Sequence, residues 1–153
     1  MKTIQSKLKA LALILTIGLV SMGCSKDDDG GSASNANILI VYLKATTSSG
    51  IDIQYNDETF CYDDGECSTS SGSTFITAFG NSKIVMSSSI SSKVATGVKI
   101  SNIEVNSGTG VIEVVRGRAI DGEWDEFEEV ETVYTSEVLS TGDVFNLEYG
   151  TTE

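Results

Sequence analysis

Neither proline nor histidine occurs anywhere in the 153 residues, and cations are scarce, with 10 Lys and Arg against 22 Asp and Glu. Without histidine, neither a Ser-His-Asp nor a Cys-His nucleophile system can be assembled, and no His-ligated zinc or iron site is possible. A formal charge of -12 repels phosphate backbones and anionic headgroups, which argues against nucleic-acid binding and against electrostatic docking on a membrane. Gly-rich phosphate loops and dinucleotide fingerprints are also missing. A carboxylate pair could still hydrolyse a glycosidic bond, but with 22 acids such pairs arise on the surface by chance. What is plentiful is Ser, Thr, Gly, Val and Ile, a composition that favours strands joined by Gly/Ser/Asn turns over helices.

The N-terminus has its own organisation. Lys2, Lys7 and Lys9 precede an apolar run from Ala10 to Val20, followed by Ser21-Met22-Gly23-Cys24: a charged segment, a hydrophobic segment and a small-residue cleavage site. The apolar run is well short of the roughly 20 residues that a membrane-spanning helix requires. A Cys directly after Gly at this point resembles the lipobox of bacterial lipoproteins, although Ser21 stands where that family generally has Leu. The resemblance implies that residues 1-23 are a signal peptide and that the Cys24 thiol receives diacylglycerol. Cleavage then frees the Cys24 amine for a further acyl chain. Two or three chains on one residue give a lasting anchor where a single chain does not.

Cys24 is followed by Ser25, Lys26, Asp27, Asp28, Asp29 and two glycines, which resembles the surface-export signal of Bacteroidota lipoproteins. That resemblance implies display on the outer leaflet of the outer membrane; a periplasm-facing location is the alternative. Read physically, residues 24-37 are an acidic, Gly/Ser-bearing tether too polar to form a core. With Lys2, Lys7 and Lys9 removed, 7 cations face 22 carboxylates and the mature charge becomes -15. Attachment to the membrane therefore rests on the lipid at Cys24.

Residues 38-153 are expected to form one β domain. The continuous apolar run Ile38 to Leu43 has the pattern of a strand covered on both faces, and Ile51, Ile53 and Tyr55 alternate with Asp52 and Gln54 as one covered face requires. Phe75, Thr77 and Phe79 are expected to follow the same rule, and then Ile84, Met86 and Ile90. Val98 and Ile100 set one phase and Ile103 and Val105 the other, which places a bulge near Ser101-Asn102. Asn106 to Gly110 is expected to turn the chain, Val111 to Ile120 to return as a strand, and Asp121-Gly122 to form a further hairpin turn. Phe127, Val130 and Tyr134 sit at helical spacing and Val130, Thr132 and Tyr134 at strand spacing; β-branched content favours the strand. The last strand is placed at Val144 to Tyr149, with Phe145, Leu147 and Tyr149 inward. The expected architecture is an antiparallel sandwich of eight or nine short strands, with a small up-and-down barrel as the alternative.

If Cys24 is acylated, Cys61 and Cys67 are left as an even pair in an oxidising compartment, and a disulfide closing the loop Tyr62 to Glu66 is the natural reading. The Cys-x5-Cys spacing is not that of a redox motif, and no third soft ligand exists for a metal. The densest acidic feature is Asp121 to Glu129, six carboxylates around the only tryptophan, Trp124. It reads as a solvated turn with an aromatic plug, while a ligand-facing Trp124 and a calcium site are the alternatives; Asp63, Asp64 and Glu66 form a second acidic tip. Neither matches a calcium-binding loop pattern, and no cofactor is expected. The function expected from these features is that of a non-catalytic, lipid-anchored surface module that binds a glycan or an envelope protein. The alternatives are a structural or protective envelope lipoprotein and a small carbohydrate-active enzyme.

Overall fold

A computed structural model describes residues 38-89, 93-120 and 127-150. The described residues are all-β: β1 (Ile38–Ala45), β2 (Ile51–Tyr62), β3 (Cys67–Ala78), β4 (Lys83–Ser88), β5 (Ala95–Ala119), β6 (Phe127–Thr135), β7 (Leu139–Ser140) and β8 (Val144–Tyr149). Every pairing is antiparallel. The strands form a single eight-stranded sheet, curled into a half-barrel.

The curl has its origin in β5, which is 25 residues long and belongs to both halves of the sheet. Its first half pairs with β2 and β8, and its second half with β1 and β6. One half therefore runs β3-β2-β5-β8 and the other β4-β1-β5-β6. The segments Phe79 to Ser82, Thr46 to Gly50, Ser107 to Gly110 and Thr141 to Asp143 join the halves, so all four ribbons change direction along one crease.

Glycine permits this. Gly108 adopts φ +87°, and a Cβ placed there would stand 2.1 Å from the Gly50 carbonyl oxygen; a Cβ on Gly110 would lie 2.6 Å from the Lys44 oxygen. The backbones at the crease thus approach more closely than side chains allow. The Thr109 N–H donates to the Gly50 oxygen and the Thr46 N–H to the Thr109 oxygen, so the hydrogen-bond ladder crosses the bend unbroken. Asn106 to Gly110 was expected to be a hairpin turn. It is instead a bend within one strand, and Val111 onward continues that strand.

A single cluster draws on both halves: Leu39, Val41 and Leu43 of β1, Ile51 and Ile53 of β2, Ile100, Ile103, Ile112 and Val114 of β5, and Leu147 of β8. The curled sheet wraps this core. Burying one such side chain stabilises the fold by about 1.5–3 kcal/mol, so the crease is held shut by what it encloses. β1 is covered on its other face too, where Ile38, Ile40 and Tyr42 meet Val115 and Phe127. The double coverage expected of Ile38 to Leu43 is present.

The bulge expected near Ser101-Asn102 is also present: Ile100 and Ile103 are both fully buried, the β5–β8 register shifts between them, and Asn102 takes φ +53°. In β3 the phase is opposite to expectation. Ile76 pairs with Ile53 and Ala78 with Ile51, so Ile76 packs on the core and Ala78 is buried, while Phe75 and Phe79 are 67% and 77% exposed. β6 is a strand, as favoured, with register shifts against β5 that skip Val133 and Val130. Phe145, Leu147 and Tyr149 pack inward from β8 as expected.

Candidate functional site

β2 and β3 extend past the core as a long hairpin whose tip is closed by a disulfide. Cys61 and Cys67 are direct cross-strand partners with Cα atoms 4.0 Å apart, and their sulfurs are bonded. Inside the loop, the Gly65 N–H donates to the Tyr62 oxygen and the Tyr62 N–H to the Glu66 oxygen. Lys93 then clamps the tip from outside, with its ammonium 2.6 Å from both Asp64 and Glu66 and 5.8 Å from the centre of the Tyr62 ring. Hydrogen bonding to Lys93 holds the Asp64 carboxyl below the usual range. Asp64 and Glu66, two of the three acids of the second acidic tip, are therefore paired with a lysine. Among the described residues no group of acidic, Cys or His side chains is arranged to hold a metal.

Below the tip lies a cleft of about 190 Å³ lined by Glu58, Phe60, Tyr62, Ser68, Ser70, Ser88 and Ser89. One wall is the β2–β3 hairpin and the other is the end of β4, so the cleft sits where the two halves of the sheet open away from each other. It is smaller than the roughly 300–1,000 Å³ pockets that enclose drug-sized ligands, which fits it to one ring or one chain end. Phe60 is buried and forms its floor, and Tyr62 is half-exposed.

Among the described residues the hydroxyls of Ser68, Ser70 and Ser88 have no hydrogen-bond partner, whereas Ser89 is fixed, its Oγ accepting from the Leu39 N–H at 2.8 Å. Glu58 presents its carboxylate at the rim, with Oε2 3.4 Å from the Tyr55 hydroxyl. That hydroxyl also lies 3.2 Å from the Met86 carbonyl oxygen. Burial, and next the negative charge of Glu58, push the Tyr55 phenol up to about 12. Tyr55 thus stays a neutral donor at any physiological pH.

Two other regions of the surface are concave or densely charged. A groove of about 460 Å³ runs beside β7, lined by Tyr134, Glu137, Val138, Leu139, Asp143, Val144 and Phe145. Its Asp143 is engaged in the turn, accepting from the Ser140 N–H at 2.8 Å, which leaves Glu137 and the Tyr134 hydroxyl as the lining side chains with polar groups to orient a ligand. On the outer face of β1, Lys83 lies 3.9 Å from the Tyr42 ring centre and 3.0 Å from Glu129, while Glu113 accepts from Lys44 at 3.1 Å. Hydrogen bonding from Tyr42 lowers the Glu129 carboxyl, and burial raises the Tyr42 phenol strongly. These charges satisfy one another and cap the smaller core, which is a structural role.

Cys24, Ser25, Lys26, Asp27, Asp28, Asp29, Ile90, Asp121, Gly122 and Trp124 lie outside the described residues. Cys61 and Cys67 are joined as expected, but the cleft beside them was not visible in the sequence. Its only trace there is serine content: Ser68, Ser70 and Ser71 fall in one run and Ser87 to Ser89 in another, and pairing of β2 with β3 and curling of β4 bring the two runs together. No helix among the described residues is long and apolar enough to cross a membrane. No family model matches the sequence, and neither the curated proteins nor the solved structures include a match.

Proposed function

We propose that this protein is a non-catalytic binding module that takes the end of a glycan in the cleft beneath the disulfide-closed hairpin. The observation that carries the reading is the lining. Two aromatic side chains supply an apolar floor and flank, three serine hydroxyls without partners among the described residues point to a ligand rich in hydroxyls, and one carboxylate can accept a pair of hydrogen bonds from neighbouring sugar hydroxyls. Among the described residues Glu58 is the single acid lining the cleft, and in a chain without histidine that pairing of one acid with hydroxyls supports binding without turnover. In this reading the two sheet halves are the layers of the sandwich expected from the sequence, with β5 shared between them.

The module is anchored through acyl chains on Cys24, and the signal Ser25 to Asp29 sends it to the outer face of the outer membrane, where glycans are met. Hydroxyl-rich ligands also suit an acidic surface, since they carry no charge for it to repel. The test is a glycan array probed with the full chain beside its Tyr62→Ala and Glu58→Gln variants. The expected result is a set of hits that weaken in both variants; no glycan above background would overturn the reading. For the anchor, Cys24→Ser should move the protein from the detergent phase to the aqueous phase or leave it uncleaved, and a cleaved variant that still partitions into detergent would refute it.

A further inference from the structure

We propose that two copies of this chain join edge to edge through β3, with the segment Thr74 to Ala78 of one copy pairing antiparallel to the same segment of the other. Four strands form the outer edges of the two sheet halves. β4 carries Lys83, β6 carries Glu128, Glu129 and Glu131, and β8 carries Glu148, the charges by which natural sheets discourage edge pairing. β3 carries none: its 12 residues contain no charged side chain and no proline, in a chain of which 21% is charged.

β3 pairs only with β2 among the described strands, and its residues Cys67 to Ser73 are exposed along with Phe75 and Thr77. The opposite flank of β2 is bonded to β5 and offers no vacancy. One irregularity narrows the site. Tyr55 pairs with Thr74 and Asp57 with Ser71, so Gly72 and Ser73 stand opposite Asn56 alone. That bulge leaves Thr74 to Ala78 as the straight, apolar part of the edge, next to the exposed Phe79.

The occupant is a second copy, because β3 alone of the four edges lacks the charges that keep copies of a chain from pairing. Two chains of net charge -12 repel wherever their carboxylates face each other, and the stretch where they can touch without that cost is the one that has none. The segment is also self-complementary. With a twofold axis through Ile76, Ile76 lies beside its symmetry mate, Thr74 beside Ala78, and Phe75 beside Thr77 on the outer face. Such a pairing closes on itself and stops at two copies.

The measurement is sedimentation equilibrium of the full chain in density-matched neutral detergent, over a range of concentrations and salt. The expected result is a concentration-dependent shift from the mass of one processed chain towards twice that mass, strengthened by salt as like charges are screened. Phe75→Glu with Thr77→Glu sets carboxylates directly opposite one another in the pair and should leave a folded monomer, its melting temperature lowered by the loss of the Thr77 hydrogen bond to Asp52. Phe75→Glu with Thr77→Lys sets opposite charges across the same axis and should restore the dimer. A wild-type chain that stays monomeric throughout, association that persists in the double Glu variant, or a Glu/Lys variant no different from the Glu/Glu one would each overturn the proposal.

Discussion

The most exacting test of the fold is Gly108→Ala. At φ +87° an L side chain costs about 1–2 kcal/mol, of which roughly 0.4–1 kcal/mol is returned because alanine restricts the unfolded chain. That much applies equally to Gly65, which has φ +82° but open space around it. At Gly108 the new Cβ would also stand 2.1 Å from the Gly50 oxygen and 2.8 Å from the Ile51 Cα, and backbone must move to make room. Forced overpacking of this kind costs about 1–3 kcal/mol. Gly108→Ala should therefore lose about 2–4 kcal/mol and Gly65→Ala about 1 kcal/mol or less. For a domain of this size, at about 4 °C per kcal/mol, the melting temperatures should fall by about 8–16 °C and under about 5 °C respectively. Circular dichroism melts of both variants read the difference. If Gly108→Ala costs no more than Gly65→Ala, the backbones do not meet at the crease and the account of the curl is wrong.

Reducing the disulfide, or replacing Cys61 and Cys67 together with Ser, should cost about 2.4 kcal/mol in the loop-entropy model for so short a loop, seen as a fall in melting temperature that wild type reproduces in reductant. The Tyr55 phenol is held neutral in the fold, so its contribution is complete below the ordinary value of 10.0 and is lost as pH rises from 10 to about 12. Tyr55→Phe should consequently flatten the alkaline fall in stability while losing about 1 kcal/mol at neutral pH with the hydrogen bond to Met86. Glu129 has the opposite sign. Its folded value is depressed, so its stabilisation is present above the ordinary 4.5 and fades as pH drops below it, and Glu129→Gln should flatten the acid limb. Millimolar calcium should leave the melting temperature of the wild-type chain unchanged; a rise of several degrees would show that the acidic segments bind it.

Much of the β domain could be read from its residues, and the exceptions share a cause. β1 was legible because an unbroken apolar run has no competing phase, and β8 because Phe145, Leu147 and Tyr149 alternate without interruption. In β3, two phenylalanines on one phase outweigh an isoleucine and an alanine on the other by composition alone. The register to β2 nevertheless puts Ile76 beside Ile53 and turns the rings outward, and register is a property of two strands together. Glycines at 108 and 110 look like a hairpin turn from within their own segment. Only the close approach of Gly50 and Lys44 from β1 and its following turn makes them a bend in a continuous strand. The cleft was hidden for the same reason, since its serines, its glutamate and its aromatic rings come from three strands that meet only after the sheet has curled.

The central claim, that the cleft under the hairpin tip receives a sugar, is tested most directly by titrating the strongest array hit into the full chain by calorimetry, beside Tyr62→Ala and Phe75→Ala. Tyr62 lines the cleft and Phe75 is an equally large exposed ring outside its lining. Stacking on one ring is worth about 1–2 kcal/mol, so Tyr62→Ala should weaken binding about tenfold while Phe75→Ala leaves it unchanged. Binding that survives Tyr62→Ala intact, or that is lost with Phe75→Ala instead, would place the ligand elsewhere and contradict the account.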